Sequence, residues 1–272
     1  MRIAFIGGGH MTTSLVGGLR ERGAARADLF VADPSARQLE RLQFDFGVRT
    51  TTDNVEAVRA ADMVVLAVKP QDMTAAARSI AGELGSRRRT VVSVAAGIRL
   101  AHLAQWLGAG VPVVRTMPNR PALIGAGITA AVAGADVTRE ECAKVERVLS
   151  TVGPLVWLDD ESLMDAVTAV SGSGPAYFFL LVEALEDAAV SLGLPRATAR
   201  HLAVHTALGA GRMVVESPES PATLREQVTS KGGTTAAALD VLASADMRGI
   251  FAAAIAAAAR RSAELADQFG GK

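Results

Sequence analysis

"VTSKGGTT", residues 228 to 235, gathers two glycines and four hydroxyl side chains around one lysine, in the alanine-rich last third of the chain. The next stretch, "TAAALDVLASA", reads as helix, so Gly233, Thr234 and Thr235 stand at its N-terminus with backbone N–H groups that no helical carbonyl can pair. A small carboxylate is a natural guest there, and the glycines let it approach the backbone closely. The same residues permit a plainer reading, in which Thr234 or Thr235 caps the helix.

A second stretch with chemistry in its spacing is "RIAFIGGGHMTTSLVGGL" near the start. Gly7, Gly9 and Thr12 fit a G-x-G-x-x-small turn between a strand and a helix, where a pyrophosphate can lie on the helix N-terminus. Asp33 follows at the end of the second strand, where it could accept hydrogen bonds from a ribose diol and favour NAD. Ser35 and Arg37, just beyond, could instead hold a 2′-phosphate and favour NADP. The residues point both ways.

Other candidates carry less. His201 and His205 are four apart on a helix, the spacing of two metal ligands, but no third ligand is near in sequence, and two surface histidines are the better reading. "SGSGP" from Ser171 lacks the strand and the order of a serine-hydrolase elbow. It reads as a glycine-rich break where backbone comes close to a partner or ligand. Cys142, the single cysteine, cannot form an internal disulfide and reads as a packing thiol in a reducing compartment.

The elements that must position these residues follow from the apolar pattern. Strands at "RIAFI", "ADLFVAD", "DMVVLAV", "TVVSVAAG" and "VPVVRTM" alternate with helical stretches, which predicts a doubly wound parallel sheet. From Leu163 onward no strand is evident. We expect a dinucleotide-binding domain over 1–160, and an all-α domain over 161–272 large enough for a core of its own.

Composition bounds the partners. The 272 residues balance 28 basic against 28 acidic side chains. The one cationic run, Arg87 to Arg89, reads as a solvated turn, so no nucleic-acid partner is expected. The longest uncharged apolar run, "GIFAAAIAAAA" from Gly249, falls short of the roughly 17–25 residues that cross a bilayer, so a buried or interfacial helix is expected and no membrane. With no leader-like pattern at the N-terminus, a cytoplasmic protein is expected.

Four stretches, two of them already met, together carry a resemblance. "AVKPQ" from Ala67, "RTMPNRP" from Arg115, "VSGSGPAYFF" from Val170 and "VTSKGGTT" resemble, in this order, the pyrroline-5-carboxylate reductases, which reduce a cyclic imine to L-proline with NADPH or NADH. The resemblance implies a Rossmann domain followed by a helical dimerisation domain, a homodimer and, beyond it, a ring of dimers. It implies a cofactor site on Gly7, Gly8, Gly9, His10 and Met11, with Asn54, with Ala67, Val68, Lys69 and Pro70, and with Ala95, Ala96 and Gly97. NADPH is the expected cofactor and NADH the alternative. Ser230, Gly232, Gly233, Thr234 and Thr235 would hold the substrate, and the Thr235 hydroxyl would orient the ring nitrogen during hydride transfer. The chain departs from the family pattern at His10, Thr12, Arg120 and Lys231. Lys231 places a cation beside a site for an anion. Hydroxyacid dehydrogenases, which share the two-part plan, need a lysine on a helix of the second domain, whereas Lys231 lies in a loop.

Overall fold

In a computed structural model, which describes residues 1–270, the chain divides into two compact units. One comprises Met1–Gly172 and the residues from Ala258 onward; the other is Ser173–Ala257. Residues 271 and 272, the end of the expected second domain, lie outside the described residues.

The first unit is wound on strands whose residues are apolar on both faces. β1 (Ile3–Ile6), α1 (His10–Glu21), β2 (Leu29–Ala32), α2 (Ala36–Phe46), β3 (Arg49–Thr51), α3 (Asn54–Ala60), β4 (Met63–Leu66), α4 (Met73–Leu84), β5 (Thr90–Ser93), α5 (Leu100–Leu107) and β6 (Val113–Pro118) follow in turn. β7 (Thr129–Ala133), α6 (Arg139–Leu149), β8 (Leu155–Trp157) and α7 (Met164–Val167) complete it. The sheet order is β3-β2-β1-β4-β5-β6-β7-β8. β1 to β6 are parallel; β7 runs antiparallel to β6, and β8 runs parallel to β7. β1, β2, β4 and β5 are buried at every residue, as strands covered on both faces by helices must be. One core lies on each face, one around Val64, Leu66 and Ile80, the other around Phe5, Leu15 and Val65.

The helices are set by local chemistry. Asp53 caps α3 through the Val55 N–H at 2.8 Å. Thr138 and Glu141 form a reciprocal capping box at the start of α6. Arg88 adds a two-pronged pair to Glu141, 2.8 Å on each side. Burial alone would push the Glu141 carboxyl up, but Arg88 and the Thr138 N–H and hydroxyl outweigh it and hold the pKa at about 2. The arginine run is thus only partly the solvated turn expected: Arg87 and Arg88 are exposed, though paired, and Arg89 is not. Arg89 is buried and donates to the carbonyls of Ala61, Glu83, Arg87 and Arg59, while Arg87 pairs with Asp62. Carbonyls left over at helix and strand ends need donors, and a guanidinium has five.

The second unit holds α8 (Gly174–Ser191), α9 (Arg196–Glu216), α10 (Pro221–Gln227), α11 (Thr234–Ser244) and the first part of α12 (Met247–Gly270). α8 and α9 pack on one another. The expected independent core is not there: from Ser173 to Ala257 only Gly174, Ala199 and Ala203 are buried. Phe178, Phe179, Leu180 and Leu181 are 68%, 64%, 64% and 41% exposed. Four successive helical residues sweep about 300°, so α8 is bare on nearly every side. The alanine run from Gly249 is likewise mostly exposed rather than buried. By length and composition alone, the helical stretch Glu161–Ser191 is long and apolar enough to cross a membrane, which the short uninterrupted runs in the sequence did not reveal.

Candidate active site

The carboxyl ends of the central strands collect the cofactor candidates. β1 lies between β2 and β4, so the chain order reverses there, and in open α/β sheets such a switch point opens a crevice for a ligand. The turn after β1 (Gly7–Met11), the turn after β2 (Asp33–Arg37), Asn54 after β3, Ala67–Pro70 after β4 and Ala95–Gly97 after β5 all lie along this edge.

Backbone approach explains the glycines. Gly7 has φ +101°, and a Cβ there would sit 2.7 Å from the Ala67 carbonyl oxygen, so only glycine lets the first and fourth strand ends meet. The Gly7 N–H is held by the Ala32 carbonyl at 2.7 Å, and the Ala67 N–H by Ile6 at 2.8 Å. Gly9 is the N-cap of α1, with no side-chain cap, and the space a Cβ would take beside it is open. The first turn of α1 carries no acidic residue. A bare, open helix N-terminus of this kind suits a pyrophosphate, so the residues present fit the group.

Thr12, a departure from the resemblance, is accommodated: it is fully buried and its hydroxyl donates to the Gly7 carbonyl. His10 is exposed. Asp33 ties two turns together, since one carboxylate oxygen accepts the Gly8 N–H at 2.6 Å and the other the Ser35 N–H at 2.8 Å. Ser35 is the N-cap of α2, and Arg37, the second residue of α2, is exposed. The Asn54 amide donates to Ser79 on α4 at 3.0 Å. Lys69 is exposed at the start of a short 3₁₀ turn over Pro70–Asp72.

The 228–235 loop lies in the second unit. The Thr229 N–H and hydroxyl donate back to the Glu226 and Arg225 carbonyls at 3.0 and 2.6 Å, which ends α10. Gly232 has φ +72°, and a Cβ on Gly233 would overlap the Ser230 hydroxyl. The N-cap of α11 is Gly233 and has no side-chain cap, so neither Thr234 nor Thr235 caps the helix. The Gly233 N–H, expected to be free, donates to Ser230 at 3.0 Å. The N–H groups that the helix leaves over are those of Thr234, Thr235 and Ala236.

Other sequence candidates resolve differently. Thr168–Gly172 forms a π-helical turn, and a Cβ on Gly172 would overlap the Met117 side chain, so the close approach expected at "SGSGP" is to the protein's own β6. The His201 and His205 rings lie 4.4 Å apart between centroids, and among the described residues no group of three His, Cys, Asp or Glu converges. Cys142 is half-buried, and burial pushes its thiol up.

Sequence reasoning missed two anchors. Asn119 accepts the Ile128 N–H at 3.0 Å and donates to the Ser171 carbonyl at 3.2 Å, which joins the end of β6 to the start of β7 and to the π-turn. One Glu161 carboxylate oxygen takes both the buried Arg115 and the Leu100 N–H, each at 2.8 Å. Asn119 and Arg115 lie within the quoted "RTMPNRP", but nothing in the sequence told which loops they would join, and Glu161 gave no signal beyond a polar residue where a helix begins.

Strand order and glycine turn define a Rossmann-type fold of the dinucleotide-binding class. A family model described as pyrroline-5-carboxylate reductase dimerisation matches residues 161–265, and one described as NADP oxidoreductase, coenzyme F420-dependent, matches residues 2–97. The chain is 48% identical over 269 residues to a pyrroline-5-carboxylate reductase of Pseudomonas aeruginosa, covering 99% of this chain and 98% of that one. Its structure is similar to that of a pyrroline-5-carboxylate reductase from Coxiella burnetii (TM-score 0.94, 39% identity, covering 97% of this chain and 98% of that one). It is also similar to the Plasmodium falciparum pyrroline carboxylate reductase with NADP bound (TM-score 0.85, 28% identity, covering 98% of each). The chain belongs to the pyrroline-5-carboxylate reductase family.

Proposed function

We propose that this protein reduces 1-pyrroline-5-carboxylate to L-proline with NADPH, NADH being the alternative donor. The single observation that carries the reading is the end-to-end 48% identity to a pyrroline-5-carboxylate reductase. Residues 1–160 serve as the dinucleotide-binding domain and 161–272 as the substrate-binding and dimerisation domain. When bound, the reduced nicotinamide supplies the hydride that adds to the C=N carbon.

The chain's own residues bind and orient. Gly7–Met11 take the pyrophosphate; Asp33, Ser35 and Arg37 meet the adenosine ribose; Asn54, Ala67–Pro70 and Ala95–Gly97 line the rest of the cofactor. Ser230 and Gly232 to Thr235 hold the substrate carboxylate on the N–H groups that open α11. The Thr235 hydroxyl orients the ring nitrogen. It is too weak an acid to protonate the nitrogen outright, so the proton comes from water. Most of the acceleration then comes from holding donor and acceptor carbons within reach.

The bare helices of the second unit are covered by a second copy of the chain, as a dimer or a ring of dimers. A cytoplasmic protein without nucleic-acid or membrane partners accords with its balanced charge. The test of function is direct: purified protein should consume NADPH only when pyrroline-5-carboxylate is present, and no turnover with either cofactor would leave a nucleotide-sensing protein as the better reading. Arg37→Ala should raise the KM for NADPH and leave that for NADH nearly unchanged. Equal effects would show that Arg37 does not read the 2′-phosphate.

A further inference from the structure

The turn after β5 has little to fix it from within. Between Ser93 and Leu100 the backbone is neither strand nor helix, and Gly97 turns it with φ +73°. The Leu66 carbonyl holds the Val94 N–H at 3.1 Å and Ala95 and Ile98 are buried in the core, but what lies on Gly97 comes from the far end of the chain. The Phe269 ring and the backbone at Ala266, both on α12, lie beside Gly97, where a Cβ would be 3.4 Å from Phe269 Cδ2 and 3.6 Å from the Ala266 nitrogen. Phe269 also packs on the apolar cluster that contains Ala95, Ile98 and Leu103.

Three more contacts fasten the same stretch of α12 to the rest of the first unit. Asp267 pairs with Arg99, the residue before α5, at 2.8 Å. The Ser262 hydroxyl donates to Asp165 on α7 at 2.6 Å, and both Ser262 and Ala266 are buried. Gly270 is so near His102 on α5 that a Cβ would overlap the imidazole. The contacts of Gly97, Arg99 and His102 all fall on one short stretch of chain, the turn and the first turn of α5.

We propose that the end of α12 is a clamp that sets the position of Ala95–Gly97, with Phe269 as its positioning residue. The clamp thereby controls how tightly the reduced cofactor is held. This rests on reading Ala95–Gly97 as lining the cofactor. Phe269 touches no reacting atom; it acts through the turn. An apolar ring against a glycine fits this role, because it presses on the backbone without competing for its hydrogen bonds.

The experiment measures the NADPH dissociation constant from nucleotide fluorescence, well below the melting temperature and corrected for the folded fraction. Ala96→Leu probes whether the turn meets the cofactor, and Phe269→Ala probes the clamp. We expect both to weaken NADPH, Phe269→Ala by about tenfold, a change of about 1.4 kcal/mol in binding. Phe269→Leu should restore most of the affinity. If Phe269→Ala does not fold, Phe269→Val opens a smaller gap and should weaken NADPH less, in the same direction. Weakening by Ala96→Leu with normal affinity in the Phe269 variants, whatever their melting temperature, would overturn the clamp and leave the cofactor reading standing. Normal affinity in Ala96→Leu would overturn the cofactor reading and the clamp with it.

Discussion

The two units differ in where their apolar surface goes. In the first, strands and helices hide it within one chain, on two faces of one sheet. In the second, long helices are as rich in apolar residues for their length yet bury almost none, so their stability has to come from something outside the single chain. A domain can thus be fully written in its own sequence or only half written, and the half-written one depends on concentration.

That contrast makes its strongest prediction in the first unit. Phe5 is fully buried in β1. Phe5→Ala should cost about 3–5 kcal/mol, with a fall in melting temperature that is the same at every protein concentration. A fall that shrinks as protein is concentrated would mean that the sheet, too, relies on a partner.

The second unit should respond the other way. Phe179, 64% exposed on α8, becomes buried if a second copy covers it. Phe179→Asp should weaken self-association by about 2–3 kcal/mol, or roughly 30- to 150-fold. Sedimentation of dilute protein without detergent, alongside circular dichroism, would show monomers whose helical content has fallen. An unchanged dimer would show that α8 faces something else, and a wild-type protein that needs detergent to stay dispersed would favour a membrane.

Most of the first unit was legible in the sequence because strands covered on both faces read as unbroken apolar runs. β7, "TAAVA", was missed because alanine signals helix as readily as strand, and three-residue β3 and β8 are too short for any period. The glycine turn was legible because backbone approach demands glycine at fixed spacing. The hydrogen bonds of Asp33 to Gly8 and Ser35 and the anchors Asn119 and Glu161 were not, since they depend on which loops the fold brings together. The missing core of the second unit was hidden for another reason. Composition counts apolar residues but does not say which chain will cover them.

Glu141 tests how self-sufficient the first unit is in acid. Its folded pKa of about 2 lies below the ordinary 4.5. Its stabilisation is therefore complete above about pH 4.5 and is lost as pH falls toward 2, for a total of about 3 kcal/mol. Arg88→Ala should remove most of this dependence, so that acid melting curves of variant and wild type converge as pH approaches 2. Curves that stay parallel would show that other carboxylates govern acid unfolding.

The smallest effect falls on the second unit's own loop, and it separates chemistry from architecture there. With Gly233 as N-cap and no side-chain cap on α11, the Thr235 hydroxyl has no structural duty at the helix end. Thr235→Ala should leave the melting temperature and NADPH affinity nearly unchanged while slowing hydride transfer. A lost neutral hydrogen bond is worth about 0.5–1.5 kcal/mol, or roughly 2- to 10-fold, and more if the bond tightens as the nitrogen gains charge density. Thr235→Ser keeps the hydroxyl and should keep much of the rate. Melting temperature and single-turnover rate on one preparation decide it: a destabilised variant with a normal rate would make Thr235 a structural residue and move the search for the group that orients the nitrogen to Ser230 or Thr234.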